Sequence, residues 1–196
     1  MVSLTTVLPT AALVSLVAAG AAPILSDSPA NAAYKATFNK GGVTGQVSFT
    51  TDQGGYVKVS VNLSNLPNYG GPFLYHVHQK PVPLNGNCTA TLGHLNPYNG
   101  SETATTPATK EVGDLSGKHG EINGTSLSTT YIDQYLSLNP SNPAFVGGLS
   151  VVVHLHNLTR IACANITMDT PVVNAADNMF SKLSIPLAVG AAALLL

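Results

Sequence analysis

The sequence predicts an all-β domain, a sandwich or barrel of short strands, on three observations. Residues 56–63 alternate strictly, with Val57, Val59, Val61 and Leu63 interleaved with Lys58, Ser60 and Asn62. Period two means one buried face and one wet face. Short apolar segments are separated by Gly, Pro and Asn clusters at 40–42, 52–55 and 68–72, the residues that turn a chain between strands. No stretch carries the 3.6-residue apolar period of an amphipathic helix, and many short strands with no helices make a sandwich or barrel.

Taken in order, strands are expected at 35–38, 45–51, 56–63, 73–78, 124–131, 150–157 and 160–167. The first two flank the Lys40 to Gly42 turn, and the third follows the Asp52 to Gly55 turn. Asn68 to Pro72 separates the third from the fourth. The long interval 79–123 is poor in apolar residues and rich in Pro, Gly, Thr and Asn. It reads as an extended loop system, and long ordered loops tend to carry function.

The ends are different in character. Residues 4–22 are uncharged and mostly apolar, with small residues at Ala18, Gly20 and Ala21, the pattern of a secretory signal peptide. No Lys or Arg precedes that stretch, a departure from the usual signal. At the other end, Asn174, Ala175 and Ala176 precede a polar spacer, 177–182, and an apolar tail, 183–196. That order is the signal for exchange onto a glycosylphosphatidylinositol (GPI) lipid, with Asn174 the attachment residue. A tail-anchored span would need about 20 apolar residues, and this tail is shorter and holds Pro186.

The expected organisation is a signal peptide at 1–20, a short leader at 21–33, one domain at 34–168, a linker with the attachment region at 169–176, and a removed propeptide at 177–196. Eight basic and nine acidic residues nearly cancel, so no basic stripe exists to recruit nucleic acid. Asn-x-Ser/Thr sequons make Asn62, Asn99, Asn123, Asn157 and Asn165 candidate glycan sites, and Asn87 the weakest because Cys88 sits inside its sequon. In an oxidising compartment the two cysteines, Cys88 and Cys163, most simply pair.

Four of the six histidines are placed as ligands of one ion would be. His76 and His78 lie at alternate positions of LYHVH and therefore share a strand face. His94 follows in GHLNP, and His154 in SVVVHLHN. An H-x-H pair alone is weak evidence; the four together point to copper or zinc held by neutral imidazoles. His156, two residues beyond His154, is a further strand histidine near the same place, and His119 in GKHGEING a loop histidine making hydrogen bonds.

With these residues in view, 34–168 resembles the Cu/Zn superoxide dismutase family. The resemblance runs through GGVTGQVSFTTDQGGYVKVSVNLSNLP, YHVH, Cys88 ahead of GHLNP, EVGDLSGKHGEI, SVVVH and TRIACANI, in the family's order. It implies a Greek-key antiparallel β-sandwich or flattened barrel with long functional loops. It implies one copper ion on His76, His78, His94 and His154, a Cys88–Cys163 disulfide, and Arg160 as the active-site arginine. The implied reaction converts superoxide to oxygen and hydrogen peroxide.

Two departures from the family's zinc-containing members qualify the reading. Residues 95–118 hold no histidine to bind zinc; Glu111 stands where one is expected, while Asp114 matches the zinc aspartate. Only five residues separate His154 from Arg160, instead of a long charged loop. Both resemble the fungal copper-only, GPI-anchored branch, which implies a solvent-open mononuclear copper site without zinc, on a monomer anchored at the membrane and in some cases transferred to cell-wall glucan. Because a ligating imidazole needs an acceptor on its far nitrogen, Asp114 is expected to hold His94, with Glu111 beside it. The competing reading is a non-catalytic copper-binding or structural cell-wall protein on the same fold.

Overall fold

A computed structural model describes residues 20–39 and 42–169. The body of the expected signal peptide, Asn174 and the propeptide lie outside the described residues. Seven strands are formed: β1 (Ala33–Phe38), β2 (Thr44–Thr51), β3 (Val57–Ser64), β4 (Leu74–His78), β5 (Leu127–Asp133), β6 (Ser150–His154) and β7 (Arg160–Met168). Each corresponds to an expected strand, most with ends shifted by one to three residues. They make one antiparallel sheet in the order β4-β6-β7-β1-β2-β3-β5, curled into an open barrel. Three hairpins account for β1–β2, β2–β3 and β6–β7, while the other connections cross between distant strands in Greek-key fashion.

The alternation in β3 has the expected cause. Val57, Val59, Val61 and Leu63 are buried in the core, while Lys58 and Asn62 face water. In β4 the core takes Tyr75 and Val77, so His76 and His78 point to the opposite face. That face would be wet in a simple sandwich, yet every residue of β6 and four of five in β4 are buried. The long 79–123 interval covers it.

This covering segment is more ordered than an extended loop. It contains a 3₁₀ turn (Cys88–Thr91) and one short helix, α1 (Leu115–His119), where none was expected. Asp114 starts α1 by accepting a hydrogen bond from Gly117 N at 2.7 Å, the usual way a short carboxylate satisfies an orphan amide. Five residues give no apolar period for sequence to reveal.

β6 ends three residues earlier than expected. Leu155 N donates to Thr159 O at 2.8 Å and Leu158 N to Leu155 O at 2.9 Å, closing a tight turn with Leu158 at φ 67°. His156 therefore sits exposed in a turn and does not share a strand face with His154.

Residues 20–32, most of the leader expected at 21–33, pack against the domain. Ala22 is buried and its N–H donates to Ala108 O at 2.7 Å; Leu25 N donates to Gln134 O at 2.8 Å. The Asp27 carboxylate accepts from Ser137 Oγ, Asn139 Nδ2 and Asn142 Nδ2 at 2.7 to 3.3 Å. This strap ties the Ala108 region of the long loop to the β5–β6 connection.

Candidate metal centre

The register of the sheet brings the histidines together. β4 and β6 pair with His76 opposite Val152 and Leu74 opposite His154, so His76, His78 and His154 share the covered face. His94 arrives from the loop through an isolated bridge to His78. One ring nitrogen from each of the four lies within 4.8 Å of those of the other three.

Hydrogen bonds assign the tautomers. His78 Nδ1 donates to Leu92 O at 2.9 Å, and His154 Nδ1 to Leu158 O at 3.1 Å. Their Nε2 atoms, left as lone pairs, face each other at 3.2 Å. His76 is turned the other way: its Nε2 lies 3.4 Å from Asp114 Oδ1 and 3.2 Å from Ser116 Oγ, and its buried Nδ1 has no hydrogen-bond partner. His94 Nδ1 is engaged by Glu111 Oε2, which frees its Nε2. Each ring thus spends one nitrogen on a protein oxygen and keeps the other bare.

Burial reinforces neutrality. It lowers the pKa of His78 to about 3 and of His154 to about 4, and it lowers His76 as well, although Asp114 opposes the shift there. Neutral imidazoles are the form that binds metal. Facing lone pairs and a buried nitrogen without a partner are costly unless a cation is shared among them. The four histidines fit a copper or zinc ion, and an all-imidazole set suits copper.

The acidic residues are exchanged relative to expectation. Asp114 was expected on His94; it lies on His76, and Glu111 takes His94. The reason is strand-like pairing within the loop: Asp114 bridges to His76, with Val77 N donating to Gly113 O at 2.9 Å. Three residues upstream, Glu111 is left above His94. Asn96 braces it, donating from Nδ2 to Glu111 Oε1 at 3.3 Å. Burial would raise the Asp114 pKa, but hydrogen bonds from His76 and Gly117 N and the charge of Lys110 bring it below the usual carboxylate value. Lys110 Nζ lies 3.6 Å from Asp114.

Arg160 opens β7 beside the 3₁₀ turn. Its guanidinium donates to Cys88 O at 2.6 Å, Thr89 O at 3.1 Å, Thr91 Oγ1 at 3.1 Å and Leu92 O at 2.5 Å. Among the described residues no carboxylate lies within ion-pair distance of it, so its charge stays uncompensated. Cys88 and Cys163 form a disulfide with Cα atoms 5.6 Å apart, fastening that turn to β7. Leu92 O thus serves both His78 and Arg160. Ser116, Leu92, Leu158 and Asn96 escaped the sequence reading, since Leu92 and Leu158 act through backbone carbonyls and Ser116 and Asn96 are residue types with no metal-binding signature.

Residues 43–166 match the copper/zinc superoxide dismutase (SODC) family. The chain belongs to that family. It is 50% identical over 159 residues to the cell surface Cu-only superoxide dismutase 5 of Candida albicans, covering 80% of this chain and 70% of that protein. A cell surface Cu-only superoxide dismutase of Arthroderma benhamiae is 31% identical over 183 residues, with coverage of 75% and 49%. The solved Cu(II) structure of Candida albicans superoxide dismutase 5 superposes with a TM-score of 0.70 at 49% identity, covering 74% of this chain and 97% of that one. The superoxide dismutase fold and the four-histidine cluster therefore occur together in this chain.

Proposed function

We propose that this protein is an extracellular, cell-surface superoxide dismutase that holds one copper ion on His76, His78, His94 and His154 and needs no zinc. The observation that carries the reading is the convergence of four bare imidazole nitrogens, with Glu111 on the far nitrogen of His94. When bound, copper supplies the one-electron exchange by which two superoxide ions and two protons become oxygen and hydrogen peroxide.

The chain's own residues do the rest. His94 is the only one of the four that is not buried and the only one borne by the loop. Its ring is suited to carry a proton to the forming peroxide, and Glu111 keeps it oriented while it does so. Arg160 holds a fixed positive charge beside the site, attracting and orienting a small anion. The tight turn at Leu155 to Thr159 leaves the approach short. His76 and Asp114 contribute rigidity, because both are buried.

The same reading places the mature chain on a GPI anchor at Asn174, as a monomer, with transfer to wall glucan an additional fate. Asn62, Asn99, Asn123, Asn157 and Asn165 are all exposed, as glycan acceptors must be. Asn165 is bonded on both sides to Val82, which disfavours it relative to the others. The test is to load the metal-free domain with one equivalent of copper and follow superoxide consumption. Catalytic consumption is expected; bound copper without dismutation would instead support the copper-binding wall protein.

A further inference from the structure

Between the long loop and β5 lies a buried charge cluster that the proposed reaction does not use. Lys118 Nζ, on a side chain with no exposure, donates to Asp133 Oδ2 at 2.6 Å and to Val112 O at 2.7 Å. His119 Nε2 reaches the same carboxylate oxygen at 2.9 Å. The other oxygen accepts from Tyr135 N at 2.8 Å and Leu136 N at 3.1 Å. Burial alone would raise the Asp133 pKa, yet the Lys118 charge and the His119 and Lys118 hydrogen bonds hold it at about 2.

A buried ion pair is a poor source of net stability, because desolvating both charges offsets most of their attraction. What such a pair provides is fixed geometry, and here the geometry concerns the metal site. Val112, whose carbonyl Lys118 takes, stands between Glu111 and Asp114, the two acids that orient His94 and His76. Asp114 also caps the helix whose last turn carries Lys118 and His119. The segment is therefore closed into a ring: metal-site acids at one end, Asp133 at the other, and Lys118 joined to both.

We propose that Lys118 and Asp133 are positioning residues for the metal centre, setting the turn that delivers Glu111 and Asp114 to their histidines. This rests on the copper reading above. In a loop without zinc-binding histidines, the cluster does by hydrogen bonding what a structural ion would do by ligation.

The test uses the double variant Lys118→Met/Asp133→Asn, which removes both charges together so that neither is left buried alone. Hydrogen exchange of the 111–115 amides is measured on the metal-free protein, and copper affinity and the Cu(II) electron paramagnetic resonance spectrum on the loaded one. We expect a folded protein with faster exchange at those amides, a shifted spectrum, and copper affinity lower by about tenfold or more, the scale seen when groups behind metal ligands are removed. A folded variant with unchanged exchange, spectrum and affinity would overturn the proposal. If the double variant does not fold, Lys118→Arg, which keeps the charge but moves the donors, is read the same way. Failure of the unaltered protein to bind copper would sink the copper reading instead, while the exchange comparison would still decide whether Lys118 orders the acids.

Discussion

Three of the four histidines stand on the β4–β6 pair of the sheet and one stands on a loop, and the two groups are held by different physics. His76, His78 and His154 are fixed by strand register, and two of them donate to backbone carbonyls that cannot be mutated away. His94 depends on polar side chains: Glu111 on its far nitrogen, Asn96 on Glu111, and the Lys118–Asp133 cluster beneath. The comparison teaches that the sheet specifies where the metal goes, whereas the loop specifies how one ligand is presented and how far it can move.

The sharpest way to break this division is to remove a ligand from the sheet. His78→Ala or His154→Ala should abolish stoichiometric copper binding, measured by metal analysis after dialysis. Retained copper at one per chain would show that the sheet ligands are dispensable. Next in size, Glu111→Gln should lower turnover by about tenfold to a hundredfold while copper remains bound, as read from dismutation rates and metal content. Asp114→Asn should do the reverse, weakening copper affinity through His76 more than it slows turnover; equal effects of the two variants would erase the distinction between sheet and loop.

The disulfide tests the link between the halves. Replacing both Cys88 and Cys163 with serine opens a link spanning 75 residues and should cost up to ~4 kcal/mol of stability by the chain-entropy estimate, measured by denaturant unfolding. Activity should also fall, since the 3₁₀ turn and Leu92 just after it carry the acceptors of Arg160 and His78. A smaller effect is expected of Arg160→Met: slower turnover with weaker dependence on salt, because the attraction it supplies is screened. Undiminished salt dependence would assign the steering charge elsewhere.

Most gradual is the response to pH. The His78 and His154 pKa values are lowered to about 3 and about 4 in the folded state from an unfolded value near 6.5. Between those limits the unfolded metal-free chain binds more protons, so folding stability should be full above pH ~6.5 and decline as pH falls toward about 3. Thermal unfolding of the metal-free protein across that range checks the sign.

Sequence made the sheet half legible and the loop half only partly so. The Val57 to Leu63 alternation and the H-x-H spacing follow directly from strand period, so β3 and the His76/His78 face could be anticipated. Which acid meets which histidine could not, because it is set by the bridge from Asp114 to His76 across 38 positions, and no local pattern encodes that pairing. His156 was drawn toward the site by extending a period through a turn that Leu158 and Asn157 close. The strap at 20–32 has no period at all; it is held by scattered backbone and Asp27 hydrogen bonds, which leave no mark in composition.

The central claim is that Glu111 and its supports replace zinc behind His94. Its most direct test is to compare dismutation and metal content of the domain loaded with copper alone and with copper plus zinc. Full activity with one copper per chain, and no stoichiometric uptake of zinc, is the predicted result. Tight binding of one zinc per chain that raises activity would contradict it.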